Sequence, residues 1–173
     1  MLTDTLCTAC GLCCDGTLLG DVELTGLAEA ARLEVLGLDV DDDEIGAELL
    51  PLPCAALCGT RCRIYAHRPK SCRQFECRLL QDVRRGRITV EQSLSEIARA
   101  RAQVRLVETL LSQLETDHVR MPLQERYTEA MAEACGSGSE PARVCETLEA
   151  AMTALSRTIR TSFLGPERSV DAG

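Results

Sequence analysis

Four cysteines fall within eight residues near the start of the chain, in the order Cys7, Cys10, Cys13 and Cys14. Thiolates separated by two residues can converge on one metal ion or cluster, because the turn between them aims both sulfurs inward and lets backbone N–H groups bond to them. A second block of cysteines follows: Cys54, Cys58, Cys62, Cys72 and Cys77. This block can supply the distant ligands that close the site, so the spacing predicts a cysteine-ligated metal centre.

The spacing also bears on which metal binds. A C-x-x-C-x-x-C run with a remote fourth cysteine is how ferredoxin-type loops hold a [4Fe–4S] cluster, whereas zinc ribbons pair two C-x-x-C knuckles. The second block contains no such knuckle. We therefore favour an iron–sulfur cluster. Zinc is the alternative, because the adjacent Cys13 and Cys14 would suit two neighbouring zinc ions in a thiolate-rich pocket.

The two blocks together resemble the CxxCxxCC family of zinc- or iron-chelating domains, the YkgJ-type cysteine cluster proteins. CTACGLCC from Cys7 is similar to the family's CxxCGxCC run, and CRIYAHRPKSCRQFEC from Cys62 is similar to its C-x-x-Y-x-x-RP-x-x-CR-x-F-x-C block. The similarity spans roughly residues 7 to 80. It implies eight metal ligands: Cys7, Cys10, Cys13, Cys14, Cys54, Cys62, Cys72 and Cys77. Cys58 is an addition of this sequence.

Two other classes of function stay open. A related cysteine motif is similar to one in flagellin lysine-N-methylases, which raises the alternative of a redox or group-transfer enzyme that uses the cluster. The other alternative is a metal-delivery or metal-sensing protein. The sequence has no glycine-rich strand-turn-helix for S-adenosylmethionine and no Ser-His-Asp, HExxH or paired-carboxylate motif. No catalytic motif is identified, and the leading interpretation is a metal-binding protein.

Charge is unevenly distributed along the chain. Residues 15–50 hold eleven acidic residues against Arg32 alone, and residues 61–87 hold nine Lys or Arg against Glu76 and Asp82, within a total of −8. An acidic protein with one basic segment is a poor general nucleic-acid binder, so we expect no nucleic-acid partner. The basic segment 61–87 could offset the negative charge of metal-bound thiolates, form a solvated face, or dock an acidic protein partner.

The sequence gives less support to the remaining cysteines and histidines as metal ligands. Cys135 and Cys145 lie far from both blocks, and free cysteines most often behave as small buried apolar groups, so we exclude them as ligands. His67 occupies a variable position of the family pattern, and we predict that it is a surface histidine. His118 is predicted to lie in a loop.

The elements that must position the cysteines are predicted to be mainly helical. We expect the Cys7–Cys14 run to be a loop, and short helices over Thr25–Leu36 and from Cys72 to Gly86. From Thr89, with Gln92 as its capping-box partner, helical periodicity continues to Glu115. Further helices are predicted over Pro122–Cys135 and from Pro141 to Gly165.

The predicted fold is therefore an irregular cysteine-rich metal-binding lobe with short helices, followed by a three-helix antiparallel bundle. The predicted domains are a cysteine-cluster domain over residues 1–87, a helical bundle over 88–165 and a flexible tail over 166–173. No secretory signal or membrane-spanning stretch is visible in the sequence. Together with the density of thiols, this leads us to expect a cytoplasmic protein without a membrane partner.

Overall fold

The computed structural model describes residues 2–114, 120–133 and 142–165. Its α-helices are α1 Leu2–Cys10, α2 Leu27–Val35, α3 Lys70–Gln74, α4 Arg78–Arg84, α5 Val90–Gln113, α6 Leu123–Glu133 and α7 Ala142–Thr158. Its strands are β1 Asp21–Glu23, β2 Asp41–Asp42, β3 Glu48–Pro51, β4 Leu57–Cys58 and β5 Arg61–Cys62. A 3₁₀ turn covers Tyr65–His67, and a π turn over Ile159–Leu164 continues α7.

The prediction of a mainly α fold is confirmed. The long helix α5 begins with the capping box expected from the sequence, because Thr89 accepts a hydrogen bond from the Gln92 backbone while the Gln92 side chain bonds the Thr89 N–H. The face of α5 that carries Ile97, Val104 and Val107 is buried. The antiparallel order of the three-helix bundle stays a prediction.

The largest hydrophobic core crosses the predicted boundary at residue 87. Leu6 of α1 and Leu79 of α4 pack in one cluster with residues of α5, α7 and the π turn, including Val107, Leu148 and Phe163. Phe163 is fully buried. The division into a domain over 1–87 and a bundle over 88–165 stays a prediction, but the described residues of both parts share this core.

A second, smaller core supports two short antiparallel sheets that the sequence analysis did not predict. β3 lies between β1 and β2, and β4 pairs with β5 in a separate hairpin. Leu50 of β3 packs with Leu33 of α2 in this core, and both are nearly inaccessible to solvent. The strands have two to four residues each, too short for an alternating pattern to reveal them.

Two local predictions around the cysteines are wrong. The Cys7–Cys14 run is not all loop, because Cys7 and Cys10 lie on α1, whose residues Leu6 and Cys10 bury one helical face. The single helix expected from Cys72 to Gly86 is two helices, because Phe75 and Cys77 have extended backbone between α3 and α4.

Several predicted features lie outside the described residues. They are His118, Cys135, the linker Gly136–Ser139, the helix start at Pro141 and the tail 166–173. Within the described part of the chain, no helix is long and apolar enough to cross a membrane.

Candidate metal centre

The first cysteine block sits at the end of α1 and in the turn that follows. The N–H of Gly11 bonds to the Cys7 carbonyl at 3.1 Å, and the N–H of Cys14 bonds back to the Gly11 carbonyl at 2.9 Å. Gly11 has a φ of +75°, a conformation that residues with a side chain rarely adopt. This glycine therefore ends the helix and reverses the chain, so that Cys13 and Cys14 follow Cys10 at close range.

The hairpin β4–β5 packs directly against this turn. The Thr60 hydroxyl donates to the Thr8 carbonyl at 2.5 Å, and a Cβ on Gly11 would stand only 3.1 Å from the Thr60 Cα. Such close approach of two backbones requires glycine. It brings Cys62, on β5, beside the first block.

The remaining cysteines are brought in by separate elements. The N–H of Cys54 bonds to the Cys14 carbonyl at 2.8 Å, which fixes this pair across forty residues of chain. Cys72 lies on α3, which is attached to β1 through the Ser71 hydroxyl and the Glu23 carbonyl at 2.7 Å. Cys77 immediately precedes α4.

All eight predicted ligands line one cavity of about 270 Å³. Cys58 is exposed on β4 and His67 is exposed in the 3₁₀ turn, and neither lines the cavity. Cys145 of α7 is buried in the helical core and is disulfide-bonded, so it is not the free thiol that we expected. Among residues 2–114, 120–133 and 142–165, no three His, Cys, Asp or Glu side chains form a ready-made metal site. The thiols share a cavity but would have to draw together around a metal.

The eight cysteines fall into two neighbourhoods. Cys10, Cys13 and Cys77 pack against the large core, whereas Cys14, Cys54 and Cys62 pack against the small one. The influence of one thiol on the pKa of another follows the same division. Cys77 raises the pKa of Cys7, and Cys54 and Cys62 raise the pKa of Cys72. We call Cys7, Cys10, Cys13 and Cys77 group 1, and Cys14, Cys54, Cys62 and Cys72 group 2. The groups meet at the consecutive residues Cys13 and Cys14, and a negative charge on Cys14 would raise the pKa of Cys13.

Burial keeps these thiols protonated in the absence of metal. It raises the pKa of Cys10 and of Cys14 to about 12, and that of Cys72 to about 11. The pKa of Cys13 is raised further, again mainly by burial. Metal binding therefore has to displace protons, since the thiolate is the form that ligates metal.

Backbone N–H groups partly offset this burial. The N–H of Leu12 bonds to Cys10, that of Ala56 to Cys54 and that of Leu80 to Cys77, and each lowers the pKa of the thiol that it contacts. N–H donors aimed at sulfur are typical of metal–thiolate sites, where they stabilise the charged ligand.

Arg68 is the only Lys or Arg among the described residues that line the cavity. Its guanidinium carbon lies 3.6 Å from the centre of the Tyr65 ring, and its Nε donates to the Tyr65 carbonyl at 3.1 Å. Burial raises the pKa values of Cys7 and Cys72, and the charge of Arg68 opposes both shifts. Most other cations of the basic segment 61–87 are exposed, but the charges of Arg84 and Arg63 also lower the pKa values of Cys7 and Cys54, respectively.

Sequence reasoning missed one residue at the centre. Arg101 of α5 donates from Nη1 to the Cys10 carbonyl at 2.7 Å and so caps the last turn of α1. A carbonyl at a helix C-terminus has no partner within the helix and favours a cation. Because Arg101 lies 91 residues from Cys10 in the sequence, no local pattern could have revealed the contact.

One protein family, described as "Putative zinc- or iron-chelating domain" and named CxxCxxCC, has a model that matches residues 6–136. The match includes both cysteine blocks, α5 and α6. No curated protein and no solved structure gives a match.

Proposed function

The chain belongs to the CxxCxxCC family of zinc- or iron-chelating domains, and from this premise we propose that its eight cavity-lining cysteines bind metal in two adjacent four-thiolate sites. The observation that carries the proposal is the separation of the thiols into group 1 and group 2, on either side of the Cys13–Cys14 peptide bond. Four thiols are the number that closes a tetrahedral zinc site or holds a [4Fe–4S] cluster.

Group 1 is the candidate for the iron–sulfur cluster. It combines the C-x-x-C-x-x-C run of Cys7, Cys10 and Cys13 with the remote Cys77, which is the ligand pattern of ferredoxin-type loops. Zinc in both groups is the second candidate. It is favoured by the presence of four thiols in each group, because structural zinc sites are closed and four-coordinate.

The roles of the surrounding residues follow from their contacts. Each cysteine would lose its proton, and the N–H groups of Leu12, Ala56 and Leu80 would stabilise the thiolates that they already contact. Arg68 would offset part of the negative charge from the cavity wall. When bound, a cluster supplies one-electron chemistry, and zinc supplies cross-linking of the fold.

The other two classes of function fit this arrangement less well. A group-transfer site needs an open coordination position, whereas four thiols in each group support closed sites. Metal delivery requires exchangeable metal, and the burial of Cys10 and Cys54 supports retention instead. A structural or electron-transfer role is therefore the function that we propose.

Purification without oxygen, followed by elemental analysis and a visible spectrum, tests the metal. Iron with sulfide and broad visible absorbance would support the cluster, and a colourless protein with zinc would support the second candidate. Cys10→Ser should remove the metal of group 1 and weaken that of group 2, whereas Cys54→Ser should remove only the metal of group 2. Cys58→Ser is the matched control, since Cys58 is exposed and outside the cavity, and it should retain all metal.

Limited proteolysis of the same variants tests the structural role. Metal binding contributes about 10–16 kcal/mol in small zinc domains, which exceeds what the small core can provide alone. We therefore expect residues 1–87 to become more sensitive in Cys10→Ser and Cys54→Ser while the helices of the bundle persist. Full metal content and unchanged cleavage in both variants would refute the proposal.

A further inference from the structure

A polar groove of about 480 Å³ lies beside the metal cavity, between α4 and the π turn that follows α7. Cys77 is the only one of the eight cysteines that lines both spaces. The residues that line the groove include Asp82, Arg85 and Arg87, together with the exposed side chains of Phe75 and Leu164.

The accessible surface of the groove is cationic. Asp82 pairs with Arg87 at 3.1 Å and with Arg78 at 3.4 Å, but its side chain is only 16% exposed, against 58% and 41% for the two arginines. Glu76 is likewise paired with Arg84. Arg85 is exposed and makes no ion pair within the described residues. Asp82 is therefore much less accessible than the arginines around it, and an anionic partner would meet arginine first.

The same chain carries a segment of the complementary kind. The hairpin β2–β3 presents Asp41, Asp42 and Glu44 to solvent without a Lys or Arg between residues 39 and 48. At its turn, Ile45 is 90% exposed, the highest value among the large apolar side chains of the described residues. Exposed apolar side chains ringed by polar groups often mark interaction sites.

The hairpin also holds a pair of like charges. Asp42 stands directly opposite Glu48 in the antiparallel register, and like charges in this position destabilise a sheet. Burial and the charge of Asp42 both raise the pKa of Glu48. A cationic surface placed against the hairpin would relieve the repulsion.

We propose that the acidic hairpin, residues 41–48, of one copy docks into the cationic groove of a second copy, with Ile45 placed between Phe75 and Leu164. The contact is head-to-tail, since hairpin and groove are different surfaces, and it would form a ring or a short chain of copies. It goes beyond the proposed function and does not depend on it. Because the groove shares Cys77 with the cavity, a docked hairpin would also cover this thiol.

Sedimentation velocity of the full-length protein at increasing concentration is the direct test. We expect reversible association that weakens as salt is raised, because both surfaces are exposed and screened by ions. Reversing the charge of the groove with Arg85→Glu and Arg87→Glu should weaken association about tenfold, because each exposed charge pair contributes only a small free energy. Ile45→Ser should weaken it as well.

A charge exchange separates docking from a general effect of net charge. Adding Asp41→Lys and Asp42→Lys to the groove-reversed protein should restore association, because the signs of both surfaces are then exchanged. Arg105→Glu with Arg143→Glu is the matched control, since it makes the same charge change at exposed arginines outside the groove and should leave association unchanged.

Three outcomes would overturn the inference. They are a monomer at all concentrations, an equal loss in the control, and failure of the exchanged protein to associate. A synthetic peptide of residues 39–48 provides a further measurement. If it binds the groove while the full-length protein stays monomeric, the occupant is an acidic segment of another protein and the second-copy proposal fails. If the purified protein contains no metal but still associates, the proposed metal-binding function is refuted and the docking proposal is not.

Discussion

Replacing Gly11 by alanine should damage the metal centre more than its small size suggests. The backbone at Gly11 has a φ of +75°, and placing a residue with a Cβ in this left-handed region costs about 1–2 kcal/mol of stability. The new Cβ would stand 3.1 Å from the Thr60 Cα, a backbone atom, so the β4–β5 hairpin would have to shift. That shift strains the Thr60–Thr8 hydrogen bond, worth about 0.5–1.5 kcal/mol. We expect a total loss of about 2–3 kcal/mol.

Gly37→Ala is the matched control. Gly37 has a φ of +79° but nothing within 4 Å of its Cβ position, so this variant carries the conformational cost of about 1–2 kcal/mol alone. Urea denaturation of the metal-loaded proteins, followed by circular dichroism, gives the two free energies of unfolding. The difference of about 1 kcal/mol reports the contact with Thr60.

Metal release distinguishes the two variants further. Gly11 lies between Cys10 and Cys13, so its displacement should speed the loss of metal to a chelator, whereas Gly37→Ala should not. Equal destabilisation by both substitutions, together with equal rates of metal loss, would show that the close approach of the hairpin does not hold the cysteine turn.

Three further predictions follow from individual contacts. Arg101→Met should cost about 1.5–3 kcal/mol by leaving the Cys10 carbonyl uncapped, while Arg105→Met on the same helix should cost little, as urea denaturation can measure. Thr89→Ala should cost about 1 kcal/mol through loss of the capping box with Gln92, with no change in metal content. Metal binding at pH 7.5 should release protons, because raised pKa values keep the thiols protonated, and affinity should fall as pH falls. Calorimetry in two buffers of different ionisation enthalpy measures that release, and its absence would contradict the raised pKa values.

The chemistry of the centre could be predicted from the sequence because it depends on residue type and short spacing. The C-x-x-C-x-x-C-C run and the second block predict a cysteine-ligated centre, the family resemblance implies which eight cysteines are ligands, and those residues do line one cavity. Their role as ligands stays a proposal. The assignment of Cys13 to group 1 and of Cys14 to group 2 was not predictable from the sequence, because it depends on which of the two cores each residue contacts.

Local structure was predicted less well where several signals competed. Cys7 and Cys10 were assigned to a loop because cysteines and glycine dominate that stretch, yet the spacing of Leu2, Leu6 and Cys10 matches one helical face. The break between α3 and α4 was missed because the apolar residues from Phe75 onward continue a helical pattern across it. The pattern for α1 was therefore present in the sequence but outweighed by residue composition, whereas no local pattern marks the break between α3 and α4.

The two groups of thiols differ in how firmly the fold holds them before metal binds. Group 1 is attached to α1 and α4, whose residues Leu6 and Leu79 are part of the large core, and Arg101 fixes its turn from α5. Group 2 depends on the small core and on strands of two to four residues, which cannot be stable on their own. The Cys13–Cys14 peptide bond links the two, so metal in group 1 also orders the first ligand of group 2. When metal is removed, the strands and small core that hold group 2 should therefore lose their structure first. When metal is added back, group 1 should fill first.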